Sequence, residues 1–304
     1  MFSSAILIFI LTTATASPFP KVRSGLSGAK TKRSSDSIIK DCFHVASTEG
    51  HYYYRSTSND PTVCGFYVVA DPSQVVEIFF DYLDVPCNTG GLVAVVDGWE
   101  LNGGYFPTVS EHPLPLEQRV SEFCGLTAPS KVFITSQNAA LIQYRVPKQS
   151  KGFSFKVNFL KNPSPCNMLI DGLEDLYTVR QTGKASNCSL MALYPVHASI
   201  LSLNVGETVP GFNKKETGTM RRCQESGLKD YVEISGGYDL VTPKQKQAET
   251  FCGVDTYPRP TEETVLCGIS TIKLVSSGEY DNILVVKIRQ AGEQDLLSPT
   301  IICD

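Results

Sequence analysis

Ten cysteines and four histidines are the residues of this 304-residue chain with the most chemistry to offer. Thiolates and imidazoles can bind zinc or act as nucleophile and base, and cysteines can also close disulfides; spacing decides among these. His44, His51, His112 and His197 form no HExxH motif and share no zinc-binding spacing with the cysteines. There is no GxSxG elbow, no Walker loop and no dinucleotide fingerprint. The cysteines repeat instead. Cys42 and Cys64 enclose a loop of the same length as Cys166 and Cys188. Cys87 and Cys124 then bracket a wider loop, as do Cys223 and Cys252, leaving Cys267 and Cys303 near the C-terminus. An even count at regular spacing reads as a disulfide framework made in an oxidising compartment, and spacing alone leaves its connectivity open. Each bridge adds roughly 3 kcal/mol of durability on the chain-entropy account. No catalytic group, cofactor or metal is expected, and the reading is of a protein that is not an enzyme.

The N-terminus agrees with that compartment. Ala5–Leu11 is apolar and Ala14-Thr15-Ala16 offers small residues, so residues 1–16 read as a signal peptide. The run is far short of the roughly 20 residues that span a bilayer. No later stretch reaches that length free of charges and prolines, and no membrane insertion is expected: the mature protein should be secreted and extracellular. Residues 17–40 carry Lys21, Arg23, Lys30, Lys32, Arg33 and Lys40 against Asp36 alone and read as a flexible basic tail, with a convertase-like site ending at Arg33. The net charge is −4, so the chain beyond the tail is distinctly acidic, the wrong sign for a nucleic-acid binder.

Elements able to carry such bridges are short and extended. Hydrophobic content of 42% with 19% charged residues is globular. From Cys42 onward the dominant period is two: Val76, Ile78, Phe80 and Tyr82 alternate with more polar neighbours, as do Phe153, Phe155, Val157 and Phe159, and later Leu284, Val286 and Ile288. Turns such as Asn59-Asp60-Pro61, Asn102-Gly103-Gly104 and Gly236-Gly237 punctuate them, and only Leu116–Phe123 suggests a turn of helix. The fold class is therefore all-β, a pair of β-sandwich modules. Phe123-Cys124-Gly125 and Phe251-Cys252-Gly253 fall at matching places in the two cysteine quartets. The prolines near Asn162–Pro165 divide the chain into modules at 41–161 and 162–304.

The order Cys, Cys-aromatic strand, Cys-strand-Asp97-Gly98, Phe123-Cys124-Gly125 and Gly152-Phe153-Ser154-Phe155 resembles the CUB domain, with the second module more divergent. A narrower resemblance rests on Asp97-Gly98-Trp99, Phe106-Pro107, Glu111-His112-Pro113-Leu114-Pro115, Ser136-Gln137-Asn138-Ala139, Asn187-Cys188-Ser189 with Tyr194-Pro195-Val196, and Val275-Ser276-Ser277-Gly278. These strings are similar, in order, to the corticotropin-releasing factor-binding protein family. The resemblance implies antiparallel, disulfide-stapled CUB-like sandwiches bridged sequentially: Cys42–Cys64, Cys87–Cys124, Cys166–Cys188, Cys223–Cys252 and Cys267–Cys303. It implies a secreted glycoprotein that captures a corticotropin-releasing factor, urocortin or diuretic-hormone class peptide and keeps it from its receptor. A tandem-CUB adaptor for a matrix protein or protease is the alternative.

Asn187 heads a sequon and is expected to be glycosylated. Many CUB domains hold Ca²⁺ through a Glu and two Asp; the middle place in module one is Gly91, so none is expected there. Asp230 occupies that place in module two, with Asp175 and Asp281 as conceivable companions, though ordinary surface acids is the preferred reading. Trp99, the only tryptophan, reads either as an exposed anchor for an apolar peptide face or, preferably, as a plug over the sandwich end. In His51-Tyr52-Tyr53-Tyr54-Arg55 at least one tyrosine must face outward. Lys40-Asp41 does not carry the family's local pattern, and Asn213–Arg222 reads as an exposed, cleavable loop. Peptide-contact residues stay unassigned; a groove between the modules is the expected location.

Overall fold

Strands that alternate in polarity need cover on one face, whereas strands apolar throughout need it on both. The chain contains both kinds, and their distribution sets the architecture. The computed structural model describes residues 35–172, 174–206, 216–240, 244–259 and 261–303. The expected signal peptide and the tail up to residue 34 lie outside them.

Up to Lys161 the strands form two five-stranded sheets and a hairpin. The first sheet runs β1 (Ser35–Ile39), β3 (Gly50–Arg55), β12 (Gly152–Lys161), β5 (Gln74–Asp84), β10 (Phe133–Ile134). The second runs β2 (Phe43–Ala46), β4 (Cys64–Val69), β11 (Ala139–Arg145), β6 (Leu92–Asp97), β9 (Val120–Phe123). Between them in sequence lie the hairpin β7 (Trp99–Leu101) and β8 (Gly104–Phe106) and one helical turn, α1 (Leu116–Arg119).

From Met168 a third sheet orders β13 (Met168–Ile170), β15 (Cys188–Ala192), β21 (Ile269–Val275), β18 (Tyr231–Gly237) and β19 (Lys246–Asp255), with β17 (Met220–Arg221) also on β19. A fourth contains β14 (Glu174–Gln181), β22 (Asn282–Gln290), β16 (Val196–Val205), β20 (Thr261–Leu266) and β23 (Ile301–Ile302). The end of β19 pairs with β16 and joins the two. Most pairings are antiparallel, but β1/β3, β2/β4, β13/β15 and β20/β23 are parallel. Five disulfides staple the sheets, at Cys42–Cys64, Cys87–Cys124, Cys166–Cys188, Cys223–Cys252 and Cys267–Cys303.

Three cores separate the four sheets. One lies between the first and second, built on Tyr52, Phe66, Ile78, Phe80, Phe153 and Phe155. Another fills the space between the third and fourth, with Leu190, Ile234, Phe251, Val286 and Ile288. The remaining core joins the two halves: Tyr67, Val69, Val96 and Leu141 of the second sheet meet Leu169, Met191 and Ile269 of the third, with Trp99 and Phe106 beside them. Alternate residues of β4 thus go opposite ways, Phe66 and Val68 to one core, Tyr67 and Val69 to another. That is why Phe66-Tyr67-Val68-Val69 and Leu92-Val93-Ala94-Val95-Val96 are apolar without alternation. Ser34–Asp304 consequently make one compact unit.

The junction also carries a polar network. Asn138, with 0% exposure, donates from Nδ2 to the carbonyls of Ala70 (2.9 Å) and Leu169 (2.7 Å) and accepts from Leu169 N at 2.9 Å. Its side chain replaces a strand between the halves. Glu111 Oε1 accepts from Ser189 Oγ at 2.8 Å and pairs with Lys273 Nζ at 2.9 Å, all three buried. Asp97 accepts from Ser136 N at 2.8 Å and from Ser136 Oγ, and His112 Nε2 lies 3.1 Å from the same carboxylate. Gly98 allows this close turn: at φ +114°, a Cβ there would sit 2.3 Å from the Phe106 carbonyl oxygen.

Several expectations change. Residues 35–39 are not tail but strand: β1 pairs with β3 and buries Ile39, a role carried by backbone bonds that a Ser-Asp-Ser-Ile-Ile string does not advertise. Of the expected loop, 213–215 lie outside the described residues. The remainder is tethered, with β17 paired to β19 and Thr219 N and Oγ1 both donating to Asp255. Trp99 is 4% exposed, so it is neither an exposed anchor nor a plug over a sandwich end; it wedges into the junction. The junction where a groove between modules is expected is packed by that same core, leaving a hollow of about 330 Å³ lined by Asp71, Pro72 and Ser73 from one side and Pro165, Asp175 and Leu176 from the other.

The junction yields two measurable outcomes. Trp99→Ala removes an aromatic from a closed core and should lower the unfolding free energy by about 3–5 kcal/mol, read from urea denaturation. Burial works against the Asp97 carboxylate, but bonds from His112 and Ser136 hold its pKa below the ordinary 3.8. Its contribution is therefore full above about pH 5 and lost as pH falls through the folded-state value. Asp97→Asn should cost about 1–3 kcal/mol at neutral pH, a gap that closes in that acid range when both proteins are melted across pH.

Candidate functional site

Among the described residues the first sheet is the outermost layer of its half, and its outer face is not covered by another sheet. Register places three rows across it. Asp36 of β1 stands opposite His51 of β3, itself opposite Lys156 of β12, whose β5 partner is Phe79. In the next row Ile38, Tyr53, Ser154 and Tyr82 align across the same four strands. Arg55, Gly152 and Asp84 form the third.

The middle and last rows make a groove of about 1030 Å³. Its floor is β12, where Gly152 and Ser154 are small. Gly152 has no alternative, since a Cβ there would fall 1.9 Å from the Tyr54 carbonyl oxygen. Tyr53 on β3 and Tyr82 on β5 stand on either side, with Ile38 beyond Tyr53. Gln149, Ser150, Ser56 and Thr57 close one end. Ile38 is 68% exposed and Tyr82 52%, far more than large apolar side chains on a covered sheet face.

The other end is polar and held in place. His51 Nε2 lies 2.7 Å from Asp81 Oδ2 and its Nδ1 lies 3.7 Å from Asp36 Oδ1. Ser154 Oγ donates to Asp81, and the Tyr53 hydroxyl contacts His51. Burial opposes ionisation of Asp81, yet the bonds from Ser154 and His51 and the His51 charge keep its carboxyl below the usual range. The Tyr53 phenol is pushed above its ordinary value by desolvation and by the fields of Asp36 and Asp81. The arrangement offers an aromatic trough with Asp36 and Asp81 at one end and Arg55 at the other, where Asp84 shares the row of Arg55 and is paired with Lys151 at 2.7 Å.

Sequence reasoning left the contact residues of this face unassigned. Tyr53 is the outward tyrosine of its triplet, with Tyr52 and Tyr54 turned to the core. Strict alternation groups Tyr82 with the inward set Val76, Ile78 and Phe80. A register shift between Ser154 and Phe155 inserts Asp81 as an extra residue on β5, so Tyr82 turns outward and Leu83 inward. Lys40 and His44 line a second, smaller hollow on the other side of β1.

The remaining candidates stand elsewhere. Asn187 precedes β15 and is partly exposed; β13 pairs only with Leu190–Ala192, beyond the sequon, and Ser189 is buried against Glu111. Asp230 is not a surface acid: at 1% exposure, its Oδ1 accepts from Ser277 N (2.9 Å) and its Oδ2 from Asn282 Nδ2 (2.6 Å). An amide thus occupies one of the directions that a cation would need. Asp175 pairs with Ile288, six residues along β22 from Asn282, about 20 Å away at strand rise. Asp230, Asp175 and Asp281 therefore assemble no Ca²⁺ site, and among the described residues no three His, Cys, Asp or Glu do. His112, Asp97 and Ser136 meet without forming a relay, because both partners approach the same nitrogen, Nε2, of a buried ring. Among the described residues no helix is long and apolar enough to cross a membrane.

Comparison with known proteins places these features. Residues 36–161 match the family model described as corticotropin-releasing factor binding protein N-terminal domain, and residues 170–297 match the C-terminal domain of the same protein. The chain is 28% identical over 287 residues to the corticotropin-releasing factor-binding protein of Ovis aries, covering 93% of this chain and 85% of that one. To the Homo sapiens protein of that name it is 29% identical over 261 residues, covering 85% and 78%. Among solved structures, the CUB1-EGF-CUB2 domain of human MASP-1/3 covers 80% of this chain and 99% of its own at 13% identity, but with a TM-score of 0.28. The two family models succeed one another along the chain and take in both halves of the stack, and on that ground the protein is a member of the corticotropin-releasing factor-binding protein family.

Proposed function

We propose that this protein is a secreted binding protein that captures a peptide hormone of the corticotropin-releasing factor class and withholds it from its receptor. Family membership over both halves carries the reading. The relatives that it resembles over most of their length are named for binding that factor. Five disulfides support an oxidising, extracellular setting. Glycosylation at Asn187 and division into modules at 41–161 and 162–304 belong to the same proposal. An adaptor working through calcium-linked surfaces has less support, since Gly91 supplies no acid and Asp230 is held by Asn282.

Calorimetric titration of the secreted protein with a synthetic corticotropin-releasing factor-like peptide, with and without EDTA, tests this. Saturable binding that ignores EDTA is expected. Absence of heat with every peptide of the class would overturn the reading, and partner binding abolished by EDTA would favour the adaptor.

A further inference from the structure

We propose that the outer face of the first sheet seats one amphipathic helix of the captured peptide, laid along β12 between Tyr53 and Tyr82. This deepens, and rests on, the reading of the protein as a peptide-capturing one.

The backbone dictates the occupant's conformation. β12 is paired on both sides, with β3 and β5, so the groove floor offers no free N–H or C=O. An extended segment lying there would leave its own backbone groups unpaired, whereas a helix satisfies them internally. Dimensions agree. β3 and β5 are two strand spacings apart, about 9.5 Å, room for one ridge of side chains from a helix about 10 Å across. Small Gly152 and Ser154 let that ridge descend, while Tyr53, Tyr82 and Ile38 supply aromatic and aliphatic contact.

Charge sets direction. Asp36 stands opposite His51, while Arg55 lies four residues further along β3, about 13 Å away. At 1.5 Å rise a complementary helix carries a basic side chain at one end of its apolar ridge and an acidic one eight or nine residues away.

An extended peptide has a different place to go. The outer edge of β1 is unpaired among the described residues, and strand addition there would be the competing mode. Tyr82 separates the two, because it lies on β5, beyond β3 and β12 from that edge. The experiment titrates a synthetic corticotropin-releasing factor-like peptide, free and with an i,i+4 lactam that locks the helix, into wild type, Tyr82→Ala, Tyr53→Ala and the double reversal Asp36→Lys with Arg55→Glu. All these side chains have solvent-facing positions, and unchanged thermal melting confirms the fold. Helical seating predicts that the locked peptide keeps or gains affinity and that each tyrosine variant loses about tenfold or more. The reversal should likewise weaken binding, with recovery when the peptide's end charges are exchanged. Wild-type binding undiminished by Tyr82→Ala, or abolished by the lactam, would overturn the helical seat and leave capture intact. A wild type that binds no peptide of the class would overturn the capture reading itself.

Discussion

The central strands of the second sheet, β4, β6 and β11, carry no exposed residue, and the rest of the molecule is arranged around that constraint. Strands β4, β6 and β11 send alternate side chains into two different cores, one shared with the first sheet and one with the third. A half containing such a sheet cannot be closed by its own partner sheet alone, because Tyr67, Val69, Val96 and Leu141 would then meet water. The third sheet, carrying Leu169, Met191 and Ile269, is their cover. Burial at about 25 cal/mol per Å² makes that contact a stability term, not a hinge.

The polar groups at this junction give it one geometry. An apolar interface tolerates sliding, but a buried amide and a buried ion pair do not, since each unmatched group would carry its desolvation cost. Asn138 reads the backbone of both halves at once, and Glu111 meets Lys273 and Ser189 from across the chain. The sequence strings that most resemble the family, around Asp97, Phe106, Glu111, Ser136 and Ser189, converge here. They fasten the two halves to each other.

That distinction explains what is legible in the sequence. The cysteine repeat and the period-two alternation are local and repeated, so class and repeat can be read from them. The uninterrupted Phe66–Val69 and Leu92–Val96 runs also signal burial on two faces, although nothing in one sequence says what provides the second cover. Trp99 resists reading because an isolated aromatic beside glycines looks the same whether it meets water or another module. Tyr82 is misplaced by alternation for a smaller cause, one inserted residue that reverses every side chain after it. Ile38 is hidden inside a charged stretch whose strand is supplied by pairing with β3.

The stack also has a mechanical meaning. Tandem extracellular modules joined by a linker sweep a cone, and the separation between their far surfaces fluctuates. Here four sheets lie face to face with three packed layers between them, and each layer sets a spacing of about 10 Å. The groove on the first sheet therefore stands roughly 30 Å from the outer surface of the fourth, and the distance is fixed by side-chain packing. A ligand held at one end and anything touching the other are kept apart as by a ruler, with neither able to swing toward the other.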